Sequence, residues 1–194
     1  MKKESNAYQA IVIGVSAGGL AALQRILSQL NANFSLPILV VQHISSQYES
    51  RLPAILSKSY SGIVKEAEDK ELLVAGTIYI SPPNYHLLVE AEKSIALSTE
   101  DKVNFSRPSI DILFETASEA FGDSLVGIVL TGANADGSKG LHRIKQLGGL
   151  TVVQAPSTAE HDAMPKAAIE VASPDVILPL DEIGIFMNSL CNRG

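Results

Sequence analysis

The sequence predicts one α/β domain: a doubly wound, mostly parallel sheet with helices on both faces and an inserted antiparallel hairpin. Three observations carry this. The 194 residues suit one domain with a sizeable core. Short apolar runs such as Ala10–Gly14 (AIVIG) and Val126–Leu130 (VGIVL) do not alternate with polar residues, as strands buried on both faces do not. Between the runs, apolar residues recur at helical spacing, which is the rhythm of βα units. The domain is expected to span 1–194, with 1–7 a mobile N-terminal segment.

Element by element, Ala10–Gly14 is the first strand, and Leu20, Leu23, Leu27 and Leu30 mark the helix after it. Pro37–Gln42 (PILVVQ) is the second strand, and Leu52–Leu56 belongs to a short helix. Thr77–Ile80 (TIYI) is a strand stopped by Pro82–Pro83. Leu87–Glu90 and Ser94–Leu97 read as a hairpin turning at Glu92–Lys93. Ser109 is placed as an N-cap, with Asp111 in the first turn where the helix dipole favours an acid. Val126–Leu130 leads into a Gly-rich loop, Thr131–Gly140, and a helix ending near Gly148–Gly149. Leu150–Gln154 and Val176–Leu178 are further strands, and Ile183, Phe186, Met187 and Leu190 give a closing amphipathic helix.

Composition narrows the function classes. Apolar residues make up 46% and mean hydropathy is +0.18, which excludes a disordered chain. The net charge of −6 and pI near 5.2 give no electrostatic support for nucleic acid as a partner. Cys191 has no second cysteine to pair with, which fits a reducing compartment. The N-terminus lacks the apolar core and cleavage site of a signal peptide, and no run is long enough for a membrane span. A cytoplasmic protein without direct membrane insertion is expected.

Ligands of open parallel sheets bind beyond the carboxyl ends of the strands, and three loops there hold unusual residues. Gly14-Val15-Ser16-Ala17-Gly18-Gly19 satisfies G-x-S-x-G, in which small residues let a serine occupy a tight strand-to-helix turn. The same loop is compatible with a phosphate cradle or with close packing alone. It is not a dinucleotide fingerprint, since Ser16 replaces the second glycine and the next strand ends in Gln42-His43 instead of an acid. His43 is either a polar strand terminus or a general base beside Ser16. Asp136, in LTGANADGSKGL, is a turn residue unless it orients that imidazole. The order Ser16, His43, Asp136 differs from that of the α/β-hydrolases. Among the other histidines, His86 falls in the hairpin, His142 on a helix and His161 in a loop, and none has the spacing of a helical zinc pair. Cys191, at the end of the last helix, has no nearby base.

Together IGVSAGG, VVQHIS and LTGANADG resemble the catalytic domain of the chemotaxis protein-glutamate methylesterases, the CheB family. The similarity continues in VKEAEDKELLVAGTIYISPPNYHLLV, FSRPSIDILF and STAEHDAMPKAAI, and spans about Tyr8 to Pro179. By position, the resemblance implies Ser16 as nucleophile, His43 as base and Asp136 as third member, with no cofactor or metal. It implies hydrolysis of glutamyl methyl esters on the cytoplasmic domains of methylated chemoreceptors, and in some relatives deamidation of receptor glutamines. Ala17 and Ala133 depart from the threonine and methionine common in the family. The chain starts almost directly at the first catalytic strand, so a stand-alone enzyme without a receiver domain, or one controlled by a separate regulatory protein, is expected. The alternatives are a hydrolase or deamidase of another protein, and a non-catalytic anion-binding or scaffold module of the same fold.

Overall fold

A computed structural model describes residues 7–43, 51–103 and 105–191, so the expected mobile N-terminal segment lies almost wholly outside the described residues. Seven parallel strands form the sheet in the order β3-β4-β2-β1-β7-β8-β9. They are β1 (Ala10–Val15), β2 (Ile38–Gln42), β3 (Ile63–Glu66), β4 (Thr77–Ile80), β7 (Leu125–Val129), β8 (Leu150–Gln154) and β9 (Val176–Leu178). A separate antiparallel hairpin, β5 (His86–Val89) and β6 (Ile95–Ser98), fills the insertion between β4 and the next helix. The helices are α1 (Gly19–Leu27), α2 (Leu52–Leu56), α3 (Ile110–Phe121), α4 (Ser138–Gln146), α5 (Ala163–Ala172) and α6 (Leu180–Leu190).

Side chains of β1 alternate between two cores, because successive residues of a strand point to opposite faces. Ile11, Ile13 and Val15 pack with Leu23, Ile26 and Leu27 of α1 and Ile183, Met187 and Leu190 of α6. Ala10 and Val12 face Ile110, Leu113 and Phe114 of α3, Leu141 and Ile144 of α4, and Leu87 and Val89 of the hairpin. Apolar residues on both faces are what the unbroken run AIVIG requires. The sheet is wound in opposite directions on the two sides of β1: the chain moves from β1 to β2 on one side and returns to β7 on the other. That reversal opens a crevice at the carboxyl end of β1.

Two elements are absent from the sequence reading. Strand β3 lies at the edge of the sheet, and its residues IVKE are exposed or half-buried, so no apolar run announces it. Helix α5 begins inside TAEHDAMP, which reads as a loop because of its proline. Pro165 sits in the first helical turn, where its missing N–H breaks no bond. Leu30 lies past the end of α1 yet still packs against the core. Helix α4 starts at Ser138, inside the segment assigned to the Gly-rich loop.

Candidate active site

Ser16 and His43 are brought together by strand register. Val15 of β1 pairs with Gln42 of β2, so each candidate residue stands one position past a paired strand end. The His43 N–H donates to the Val15 carbonyl at 3.2 Å and continues the ladder by one bond. On the other side of β1, the Ser16 N–H donates to the Thr131 carbonyl at 3.0 Å. Ser16 is thereby held between the loops that carry His43 and Asp136.

The turn after Ser16 depends on its glycines. Gly18 adopts φ +76°, a left-handed conformation, and a Cβ there would come within 2.9 Å of Glu160. A Cβ on Gly19 would collide with the Gln42 side chain, whose Nε2 donates to the Ser16 carbonyl at 2.8 Å. Gln42 is 7% exposed and was visible in the sequence only as a strand end. The Thr131 hydroxyl donates to the Ala17 carbonyl at 2.9 Å and accepts the His161 N–H at 2.9 Å, tying the serine turn to the segment before α5. Ser16 and His43 line one cleft of about 610 Å³ with Ala17, Gly18, Gln42 and Glu160. The amides of Ala17 and Gly18 have no hydrogen-bond acceptor among the described residues and precede the positive end of α1.

Asp136 is fully buried, and its carboxylate is surrounded by donors. His43 Nε2 lies 2.9 Å from Oδ2, and the Ile110 N–H donates to the same oxygen at 2.7 Å. Oδ1 accepts the Asp111 N–H at 3.2 Å, the Ser109 hydroxyl at 3.1 Å and the Gly137 N–H at 3.1 Å. The amino end of α3 therefore holds the charge in place of water. Ser109 occupies the N-cap position as expected, but its side chain makes no cap and serves Asp136 instead. Asp111 is buried, and its carboxylate accepts the Gly140 N–H at 2.7 Å, joining the amino ends of α3 and α4.

The tautomer of His43 follows from a residue the sequence did not single out. Asn134 Oδ1 accepts the Asp136 N–H at 3.0 Å, which turns Nδ2 toward His43 Nδ1 at 3.2 Å. An amide NH₂ needs a lone pair opposite it, so Nδ1 is unprotonated and the proton is on Nε2, donated to Asp136. The ring is 13% exposed. Ser16 Oγ has no hydrogen-bond partner among the described residues, including His43. Catalytic pairs in unliganded sites commonly close only when substrate enters.

The remaining histidines are elsewhere or differently employed. His86 is completely buried, accepts the Ser109 N–H at Nδ1 (3.2 Å) and donates from Nε2 to the Asp101 carbonyl (3.0 Å). His142 is exposed on α4 beside Gln146. His161 is exposed next to Glu160, and it is its backbone that pins Thr131. Cys191 is half-buried at the end of α6.

A doubly wound α/β domain that gathers a serine, a histidine and a buried aspartate beyond its central strands has the layout of a serine hydrolase. The chain belongs to the CheB methylesterase family, whose model matches residues 11–187. The crystal structure of the Thermotoga maritima CheB methylesterase catalytic domain superimposes with a TM-score of 0.90 at 34% identity, covering 95% of this chain and 100% of that one. A Leptospira interrogans chain is 53% identical, over 91% of each sequence. The protein-glutamate methylesterase/protein-glutamine glutaminase of Clostridium acetobutylicum is 35% identical over 92% of this chain and 52% of its own length. The protein-glutamate methylesterase FrzG of Myxococcus xanthus is 36% identical over 91% and 53%. The chain thus spans about half the length of these last two relatives.

Proposed function

We propose that the chain is one catalytic domain that removes methyl esters from glutamyl side chains on the cytoplasmic domains of chemoreceptors, with Ser16, His43 and Asp136 as the triad. The observation that supports this reading most directly is the His43–Asp136 bond at 2.9 Å beside Ser16 in a shared cleft. A module that only held an anion would have no use for a buried carboxylate aimed at an imidazole.

In this mechanism Ser16 Oγ attacks the ester carbonyl while His43 Nδ1 takes its proton. The amides of Ala17, Gly18 and Ala133, without acceptors among the described residues, are donors available to the tetrahedral oxyanion. His43 returns the proton to the departing methoxide, methanol leaves, and an acyl-enzyme remains. Water activated by the same nitrogen then releases the free carboxylate. Asp136 holds the ring and stabilises its charged form during both steps. Cofactors have no part in this scheme.

Glutamine deamidation would use the same acyl-enzyme, with ammonia in place of methanol, and the naming of the Clostridium relative supports it. Intact mass of methylated receptor peptides separates the readings: a loss of about 14 Da per site marks demethylation and a gain of about 1 Da marks deamidation. No change beyond a Ser16→Ala control would overturn both. Among the described residues no helix is long and apolar enough to cross a membrane.

A further inference from the structure

We propose that Asn134 caps the base: its side-chain amide donates to the Nδ1 lone pair of His43 and keeps the serine–histidine pair unformed until substrate displaces it. The proposal rests on His43 acting as base to Ser16.

Three bonds form a closed ring. Asp136 N–H donates to Asn134 Oδ1 at 3.0 Å, Asn134 Nδ2 donates to His43 Nδ1 at 3.2 Å, and His43 Nε2 donates to Asp136 Oδ2 at 2.9 Å. Each bond fixes the direction of the next. The backbone N–H can meet only the amide oxygen, so the NH₂ must face the ring, and the ring must present a lone pair there. That lone pair is the one Ser16 needs. Its occupation by Asn134 accounts for a second observation, the Ser16 hydroxyl without a partner among the described residues.

The cap is built to open. Asn134 is exposed, whereas Asp136 behind it is fully buried. Two hydrogen bonds between neutral groups hold it in place, at His43 Nδ1 and at the Asp136 N–H, while a charge-assisted bond holds the ring on Asp136. Rotation of the Asn134 side chain gives up its bond from the Asp136 N–H and frees Nδ1, while the bond from His43 Nε2 to the Asp136 carboxylate stays in place. A carbonyl oxygen entering the cleft offers the displaced NH₂ an alternative acceptor.

Labelling by a small alkyl fluorophosphonate tests this without any receptor. Ser16 Oγ bonds to phosphorus, fluoride leaves, and the hydroxyl proton passes to His43. Asn134→Ala should label about three- to tenfold faster than the wild-type chain, the span of one neutral hydrogen bond. Asn134→Asp keeps the acceptor for the Asp136 N–H but presents an acceptor to Nδ1, which then carries a proton, and should label at least about tenfold slower. Nitrogen-15 spectra of His43 should show Nδ1 unprotonated in wild type and Asn134→Ala and protonated in Asn134→Asp. Labelling of Asn134→Ala at or below the wild-type rate overturns the cap, as does Asn134→Asp labelling as fast as Asn134→Ala. A Ser16→Ala chain that still labels would overturn the triad itself, a failure distinct from that of the cap.

Discussion

The Asp136 carboxylate lies nearer to the Ile110 N–H, at 2.7 Å, than to His43 Nε2, at 2.9 Å, and both bonds end on the same oxygen. The aspartate that orients the imidazole is itself oriented by the first residue of α3. Ile110 in turn packs against β1, where its side chain fills the space left by Gly14. Strand β1, helix α3 and the loop after β7 thus converge on one carboxylate.

Replacement of Ser16 or His43 by alanine should lower ester hydrolysis by about 10⁴-fold or more and leave the fold intact, because both side chains project from loops beyond the strand ends. Methanol release from methylated receptor, with circular dichroism of each variant, checks this. Activity within tenfold of wild type in His43→Ala would remove His43 from the chemistry.

Asp136→Asn should cost up to about 10⁴-fold in kcat, as when a triad loses its orienting carboxylate. A stability loss should accompany it, since an NH₂ replaces an acceptor facing several N–H donors. Removing a buried acceptor of this kind costs about 1–3 kcal/mol. Urea unfolding and turnover measured on the same variant report both effects; wild-type turnover would reduce Asp136 to a turn residue.

Gly14→Ala drives a methyl into Ile110, and overpacking of this kind costs about 1–3 kcal/mol. Turnover should fall with it, since Ile110 carries the N–H that fixes Asp136. Pairing it with Ile110→Ala should cost less than the sum of the two single changes, because the added methyl enters the vacated space. Simple additivity in a double-mutant unfolding cycle would contradict the contact.

Acid should destabilise the fold partly through Asp175, far from the site. Burial works to raise this carboxyl, but bonds from the Thr151 hydroxyl (2.6 Å) and N–H (3.0 Å) and the nearby Lys145 ammonium outweigh it and hold the group below its ordinary value. A depressed folded-state value contributes stability that is present above the unfolded value, about 3.9, and is lost as pH falls through the folded one. Asp175→Asn should therefore be less stable than wild type at neutral pH, and the difference should shrink as pH falls through the depressed folded-state value. A difference independent of pH would assign the effect to packing.

The sequence made most of the frame legible because the central strands are apolar on both faces and are punctuated by glycine and proline; Thr77–Ile80 and Leu150–Gln154 agree to the residue. Edge strand β3 escaped because an edge needs little burial, and α5 because Pro165 disguises its first turn. At the site, the loops beyond adjacent strand ends suggested Ser16 beside His43 with Asp136 as a third member, each with a bland alternative; the resemblance to a family tied the three to one chemistry. Asn134 and Gln42 went unremarked because what they do depends on side-chain bonds to residues 91 and 26 positions away. No local pattern encodes such bonds.

The His86 imidazole gives the hairpin insertion a consequence of its own. Buried and bonded on both nitrogens, it rivets the start of the insertion to Ser109 on one side and to Asp101 on the other. The site-bearing end of α3 is therefore referenced to the root of the insertion and not to its tip. The second strand of the hairpin is fixed separately, by Ile95, which is fully buried in the same core as Ile110 and exchanges backbone bonds with Lys70 and Glu71. The insertion is thus fastened to the frame at its root and along its second strand, and Ser109, Ile110 and Asp136 share the footing of both.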